Sequence, residues 1–85
     1  MDIRIDKEIE GKAVVLHVAG RLAGDAIAQL TDVCESLDDH CVLDLSKLMF
    51  ADDEGAEAIR MIRDGGANIR GASSFIKLLI SDETA

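Results

Sequence analysis

The stretch Val42-Leu43-Asp44-Leu45-Ser46-Lys47-Leu48-Met49-Phe50-Ala51-Asp52-Asp53-Glu54-Gly55 decides how the chain is read. With Cys41 before it, Val42-Leu43-Asp44-Leu45 is short, apolar and bounded by turn residues, the pattern of a buried strand. Ser46 to Phe50 leads away from that strand into three consecutive acids. Beyond Asp52-Asp53-Glu54 the period becomes helical, with Gly55, Ala58, Ile59 and Ile62 on the inner side. The helix is predicted to stop at Gly65-Gly66, where one glycine can take the left-handed position after the last turn.

Working outward, Ala67-Asn68-Ile69-Arg70 reads as a further short strand. Ser73 or Ser74 is placed to cap a last helix holding Phe75, Leu78, Leu79 and Ile80, followed by the polar residues Ser81 to Ala85. Toward the N-terminus, Asp25 is a plausible N-cap for a helix whose stripe is Ile27, Leu30, Val33, Cys34 and Leu37. That helix is ended by Asp38-Asp39-His40. Gly20 and Gly24 bracket a loop. Ala13 to Val18 is β-branched and nearly all apolar, so it reads as a central strand. Ile3, Ile5 and Ile9 alternate with charges in a half-buried first strand, and Glu10-Gly11-Lys12 closes a hairpin between the two. The expected order is therefore ββαβαβα in an α/β domain, with parallel strands joined by right-handed crossovers behind the hairpin.

Eighty-five residues suffice for one domain, taken as residues 1–85, and are too few for two. Apolar residues make up 48% of the chain and aromatics 2%, so the core must be aliphatic and offers no platform for stacking a base, a flavin or a sugar. Acids outnumber bases 17 to 9, giving a net charge of −8. That balance argues against nucleic acid and against an anionic membrane surface, and it fits a basic partner surface. The start has the alternation of a strand and not the pattern of a signal peptide, and no apolar run reaches the roughly 20 residues of a spanning helix. A cytoplasmic protein without direct membrane insertion is expected, its Cys34 and Cys41 reduced.

Candidate chemistry is sparse. Acids at a helix start satisfy orphan N–H groups and suit the dipole, which accounts for Asp52, Asp53 and Glu54 without function. Paired carboxylates also serve acid–base work or, with Asp44, Mg²⁺ binding. Cys34, His40 and Cys41 lie close together but fit no zinc spacing, and both cysteines read as small core residues. His17 reads as a partly covered surface residue. The glycines form no phosphate-binding loop, and Ser46, Ser73 and Ser74 read as turn and cap residues. No catalytic residue, metal or cofactor is expected. The outer face of the second helix, by contrast, should present Glu54, Glu57, Arg60, Met61 and Arg63. A bare Met61 among mixed charges has the look of a binding face.

Two segments together resemble the STAS domain, the family of sulfate transporters and anti-sigma-factor antagonists. Val18-Ala19-Gly20-Arg21-Leu22 is similar to that family's "G-x-L" element, and Val42 to Gly55 resembles its "vvlDLs…f.DSSG" run leading into a helix. Gly71-Ala72-Ser73 with Phe75 and Leu79 resembles its last strand and helix. The resemblance implies a mixed sheet of four to five strands with helices mainly on one face, and a protein-interaction module that is not an enzyme. In the antagonist branch the first serine of DSSG is phosphorylated by a kinase that is also the anti-sigma factor. Here Asp53 stands at that position and Glu54 follows it. A carboxylate carries one negative charge where phosphoserine carries about 1.5 to 2, so Asp53 imitates the modified state in part and cannot be switched by a serine kinase. The resemblance implies a partner-binding surface of Arg21, Leu22, Asp52, Asp53, Glu54, Gly55, Glu57 and Met61. It implies an ATP-binding anti-sigma kinase as partner or, in another branch, the ATPase of a membrane transporter for lipids, whose STAS subunit needs no phosphoserine.

Overall fold

The computed structural model describes residues 3–36 and 41–80. Two strands, β1 (Ile3–Glu10) and β2 (Ala13–Leu22), are followed by α1 (Asp25–Glu35), β3 (Cys41–Ala51), α2 (Asp53–Asp64), β4 (Asn68–Arg70) and α3 (Ser74–Ile80). The expected order ββαβαβα is the observed one. The sheet has four strands in the order β1-β2-β3-β4. The hairpin β1-β2 is antiparallel, whereas β2-β3 and β3-β4 are parallel.

Both central strands are longer than the sequence pattern suggests, and the cause is a pair of register shifts. His17 pairs with Asp44 but Ala19 with Lys47, so two steps along β2 match three along β3. The extra residue is accommodated at Ser46, whose N–H and hydroxyl both donate to Asp44 Oδ1 at 3.0 and 2.7 Å. A second shift lies between Gly20 and Arg21. Each shift breaks the strict alternation of a strand. Along β3 the buried residues Leu45, Leu48 and Ala51 therefore recur every third position, a spacing that does not read as strand. The loop expected between Gly20 and Gly24 shrinks accordingly, because Arg21 and Leu22 still pair with Phe50 and Ala51.

All three helices contribute to one core on one side of the sheet. Ala26 and Leu30 of α1, Ala56 and Ile59 of α2, and Ile76 and Ile80 of α3 cluster with Leu16, Val18, Leu22, Leu43, Leu45 and Leu48. On α1, Ile27, Val33 and Cys34 are half-buried as their stripe predicts, while Leu37 and the expected helix end at Asp38-Asp39-His40 lie outside the described residues. Gly24, not Asp25, is the cap: Ile27 N–H already bonds the Gly24 carbonyl at 3.1 Å, so Asp25 sits inside the first turn. At the end of α2, Gly66 takes φ 116° and its N–H bonds Arg63 O, which is the left-handed stop that the paired glycines predict.

The last helix rotates differently from its expected stripe. Ser73 caps it through Oγ to Ile76 N–H at 3.2 Å. Ile76 and Ile80 then face the core, Leu79 is half-buried, and Phe75 and Leu78 are 49% and 77% exposed. A seven-residue helix with five apolar side chains leaves its facing ambiguous in sequence, and tertiary contact decides it.

The opposite face of the sheet carries charge in place of helices. Arg70 donates to Asp44 Oδ2 at 3.2 Å and to Glu10 Oε2 at 3.0 Å, linking β4 to β1 across the strands between them. His17 Nε2 lies 2.8 Å from Glu8 Oε1, and Nδ1 lies 3.6 Å from Asp44 Oδ2. Val15, on this same face, is fully buried although it takes no part in the helical core. The two Ser46 donors, then Arg70, lower the Asp44 carboxyl to about 2. Arg70 also holds Glu10 below the usual carboxylate range.

Two outcomes follow from this packing. Ile76→Ala should cost about 2–4 kcal/mol in denaturant melts, and Leu78→Ala should stay within about 0.5 kcal/mol. Because Asp44 binds its proton less readily folded than unfolded, its contribution is complete above about pH 4 and is lost as pH falls toward 2. Urea titrations across that window should show Asp44→Asn with a flatter pH dependence, the difference about 1–2 kcal/mol once solvent screening is allowed for.

Candidate functional site

The candidate site is assembled where β2 and β3 end side by side. Leu22 and Ala51 are register partners, and the chain turns at Asp52 directly into α2. Asp52 N–H donates to the Leu22 carbonyl at 3.3 Å, tying the turn to β2. Asp52 Oδ1 accepts from Gly55 N–H at 2.7 Å, which makes Asp52 the side-chain cap of the helix. Its own carbonyl accepts from Ala56 N–H at 2.8 Å. A Cβ on residue 55 would overlap the Leu22 carbonyl oxygen and press within 3.2 Å of Leu22 Cγ, so only glycine allows α2 to start this close to β2.

The eight residues named from the sequence divide by this geometry. Leu22 and Gly55 are buried, so they position the turn and offer a partner no side-chain surface. Asp52 is half-buried by its capping role. Asp53 and Glu54 occupy the first turn of α2 and are exposed, as are Arg21, Glu57 and Met61, the last at 68%. Arg21 is held in place by Phe50, its guanidinium carbon 5.0 Å from the ring centre. The sequence did not foretell that pairing, which rests on the strand register placing Arg21 beside Phe50.

The expected outer face of α2 needs one correction. Arg60 and Arg63 are half-buried and reach toward α3. Arg60 donates to Leu79 O at 2.8 Å and Arg63 to Ile80 O at 3.3 Å, where cations meet the carbonyl end of α3. Glu54, Glu57 and Met61 are the more exposed of the five.

Asp44 is not part of the acidic turn. It lies eight residues back along β3, roughly 25 Å at strand rise, and its oxygens are occupied by Ser46 and Arg70 on the charged face. Among the described residues no three His, Cys, Asp or Glu side chains gather as a metal site would require. His40, weighed with the two cysteines, lies outside them. Burial pushes the Cys34 thiol up to about 12 and raises Cys41, so both are neutral thiols rather than nucleophiles.

A second feature adjoins the turn. A groove of about 570 Å³ lies between α1 and α2, with Ile27 and Thr31 on one wall and Glu57, Ala58 and Met61 on the other. Ile27 and Cys34 belong to the stripe read from the sequence, whereas Thr31 was not singled out, and only packing brings this wall opposite α2.

The junction gives a direct test. Gly55→Ala should destabilise by about 2 kcal/mol or more, since backbone has to move, and Asp52→Ala by about 0.5–2 kcal/mol through loss of the cap. Thermal melts should rank them in that order, with Asp53→Ala changing little.

No family model matches the sequence, and no curated protein matches it. Among solved structures the chain is similar to an antisigma-factor antagonist STAS domain from Rhodobacter sphaeroides, with a TM-score of 0.56 and 22% identity over 86% of this chain and 94% of that one. Among the described residues no helix is long and apolar enough to cross a membrane. With its four-stranded mixed sheet, three helices and ββαβαβα order, the chain has the STAS-like fold.

Proposed function

We propose that this chain is a non-enzymatic interaction module of the anti-sigma-factor-antagonist kind, and that it docks a regulatory protein through Arg21, Asp53, Glu54, Glu57 and Met61. The observation that carries this is the exposure of Asp53 and Glu54 on a turn locked from beneath by Asp52, Gly55 and Leu22. A rigid turn presents its charges in one geometry, so little ordering entropy is lost when a partner binds. Asp53 stands where the antagonist branch carries its phosphorylated serine. It therefore acts as a fixed negative element, and the module is constitutive in place of switched. Its working compartment on this reading is the bacterial cytoplasm, and its partner an ATP-binding anti-sigma kinase.

A second reading is favoured by the same residue. A STAS subunit bound to a transporter ATPase needs no phosphoserine, and an aspartate at position 53 is compatible with that.

Affinity capture of the tagged chain in its native host, compared with Asp53→Arg, separates these outcomes. Recovery of an ATP-binding regulatory kinase with the wild type, lost with the variant, is expected. A transporter ATPase in its place selects the second reading, and recovery of neither sinks both. With the kinase in hand, Asp53→Ser plus ATP should add one phosphate to the intact mass.

A further inference from the structure

We propose that the groove between α1 and α2 seats a basic amphipathic helix of the partner protein, with its apolar residues on the groove floor and its Lys or Arg residues toward Glu35, Glu54 and Glu57. The groove's shape supports a helical occupant. Glu54, Glu57, Ala58 and Met61 recur at helical spacing on one wall, and Ile27, Thr31 and Cys34 do so on the other. Two such ridges leave between them a furrow that accepts side chains spaced i, i+3, i+4 and i+7 on a third helix.

The chemistry of the walls sets the occupant's composition. Ile27, Ala58, Ile62 and the neutral thiols of Cys34 and Cys41 make an apolar floor, and Met61 rises beside it 68% exposed. Methionine is unbranched and polarizable, which suits a surface that repacks against an incoming apolar residue. Among the described residues, three glutamates line the groove and no lysine or arginine does. Arg60 and Arg63 of α2 donate to the carbonyl end of α3. A cationic helix satisfies both floor and rim, whereas an acidic one would bring like charges together.

This inference rests on the reading that α2 faces a protein partner, but the two fail separately. A native partner that is lost with Asp53→Arg yet leaves the groove unperturbed overturns the inference alone. A peptide that fills the groove while no native partner is recovered overturns the docking function alone.

The test uses the full chain with ¹³C-methyl methionine. Met61 lines the groove and Met49, 78% exposed on β3, does not, so Met49 is an internal reference. The probes are a synthetic amphipathic helix of leucine and lysine, the same helix with glutamate for lysine, and hexyltrimethylammonium. The leucine–lysine helix should shift Met61 saturably and leave Met49 in place. Glu54→Gln with Glu57→Gln should weaken it about fivefold, while Asp6→Asn with Glu8→Gln, an equal charge change on the other face of the sheet, should leave it within about twofold. Thr31→Phe, which fills the furrow without altering charge, should abolish the Met61 shift in a chain whose melting temperature is unchanged. Equal losses from the two charge-matched pairs would reduce the binding to bulk attraction and overturn the proposal. So would comparable binding of the glutamate helix, joint movement of Met49 and Met61, or saturation of Met61 by the small amine as tightly as by the helix.

Discussion

The structure depends on one close approach, the start of α2 against the last carbonyl of β2. Asp52 N–H bonds Leu22 O, and the absence of a side chain at Gly55 lets the helix begin against that same carbonyl. This contact joins the end of β2, the end of β3 and the first turn of α2 into one unit. It also fixes where the acids stand. Asp52 is spent inward as the cap, and Asp53 and Glu54 are left outward with no freedom to exchange roles. The chain thus gains an anionic corner on a rigid base, since α2 is held beneath by Ala56 and Ile59 in the core.

The two faces of the sheet solve burial in different ways. One is covered by three amphipathic helices around an aliphatic core. The other carries no helix among the described residues and is closed by the Glu10–Arg70–Asp44 bridge, with Glu8 and His17 beside it. That network spans from the first strand to the last and overlies a fully buried Val15. Long charged side chains can cover apolar surface while keeping their ends in water, and here they stand in for a second helical layer. The charged face is accordingly engaged with itself, whereas Asp53, Glu54 and Glu57 of α2 are exposed. This asymmetry supports the proposal that recognition uses the α2 side.

The same division bears on chemistry. A site that holds a metal needs several convergent groups, and among the described residues no three His, Cys, Asp or Glu side chains gather in that way. Asp44 is committed to Ser46 and Arg70, Asp52 to Gly55, and Asp53 with Glu54 points to solvent. What they share is sign, and a patch of one sign at a fixed corner selects partners by charge.

Local pattern determined much of this protein. The apolar run from Cys41 to Leu45 read as a strand, the acids before Gly55 as the start of a helix, and Gly65-Gly66 as its end. From these the element order followed, and the resemblance around Asp44 to Gly55 then pointed to the fold. Local pattern did not determine how far β2 and β3 extend. Their length rests on bulges, and a bulge replaces the period of two by contacts between strands distant in sequence. Nor did it determine which side of α3 is buried, because an apolar helix is turned by what it meets. Arg21 over Phe50, the two arginines of α2 on the end of α3, and the furrow between α1 and α2 are likewise products of packing. The sequence specified the acidic turn as a capped helix start. Only the tertiary structure decided that its next two acids face out and that a groove rimmed by glutamates lies beside them, because those directions depend on the close approach of α2 to the Leu22 carbonyl and on the packing of α1 beside α2.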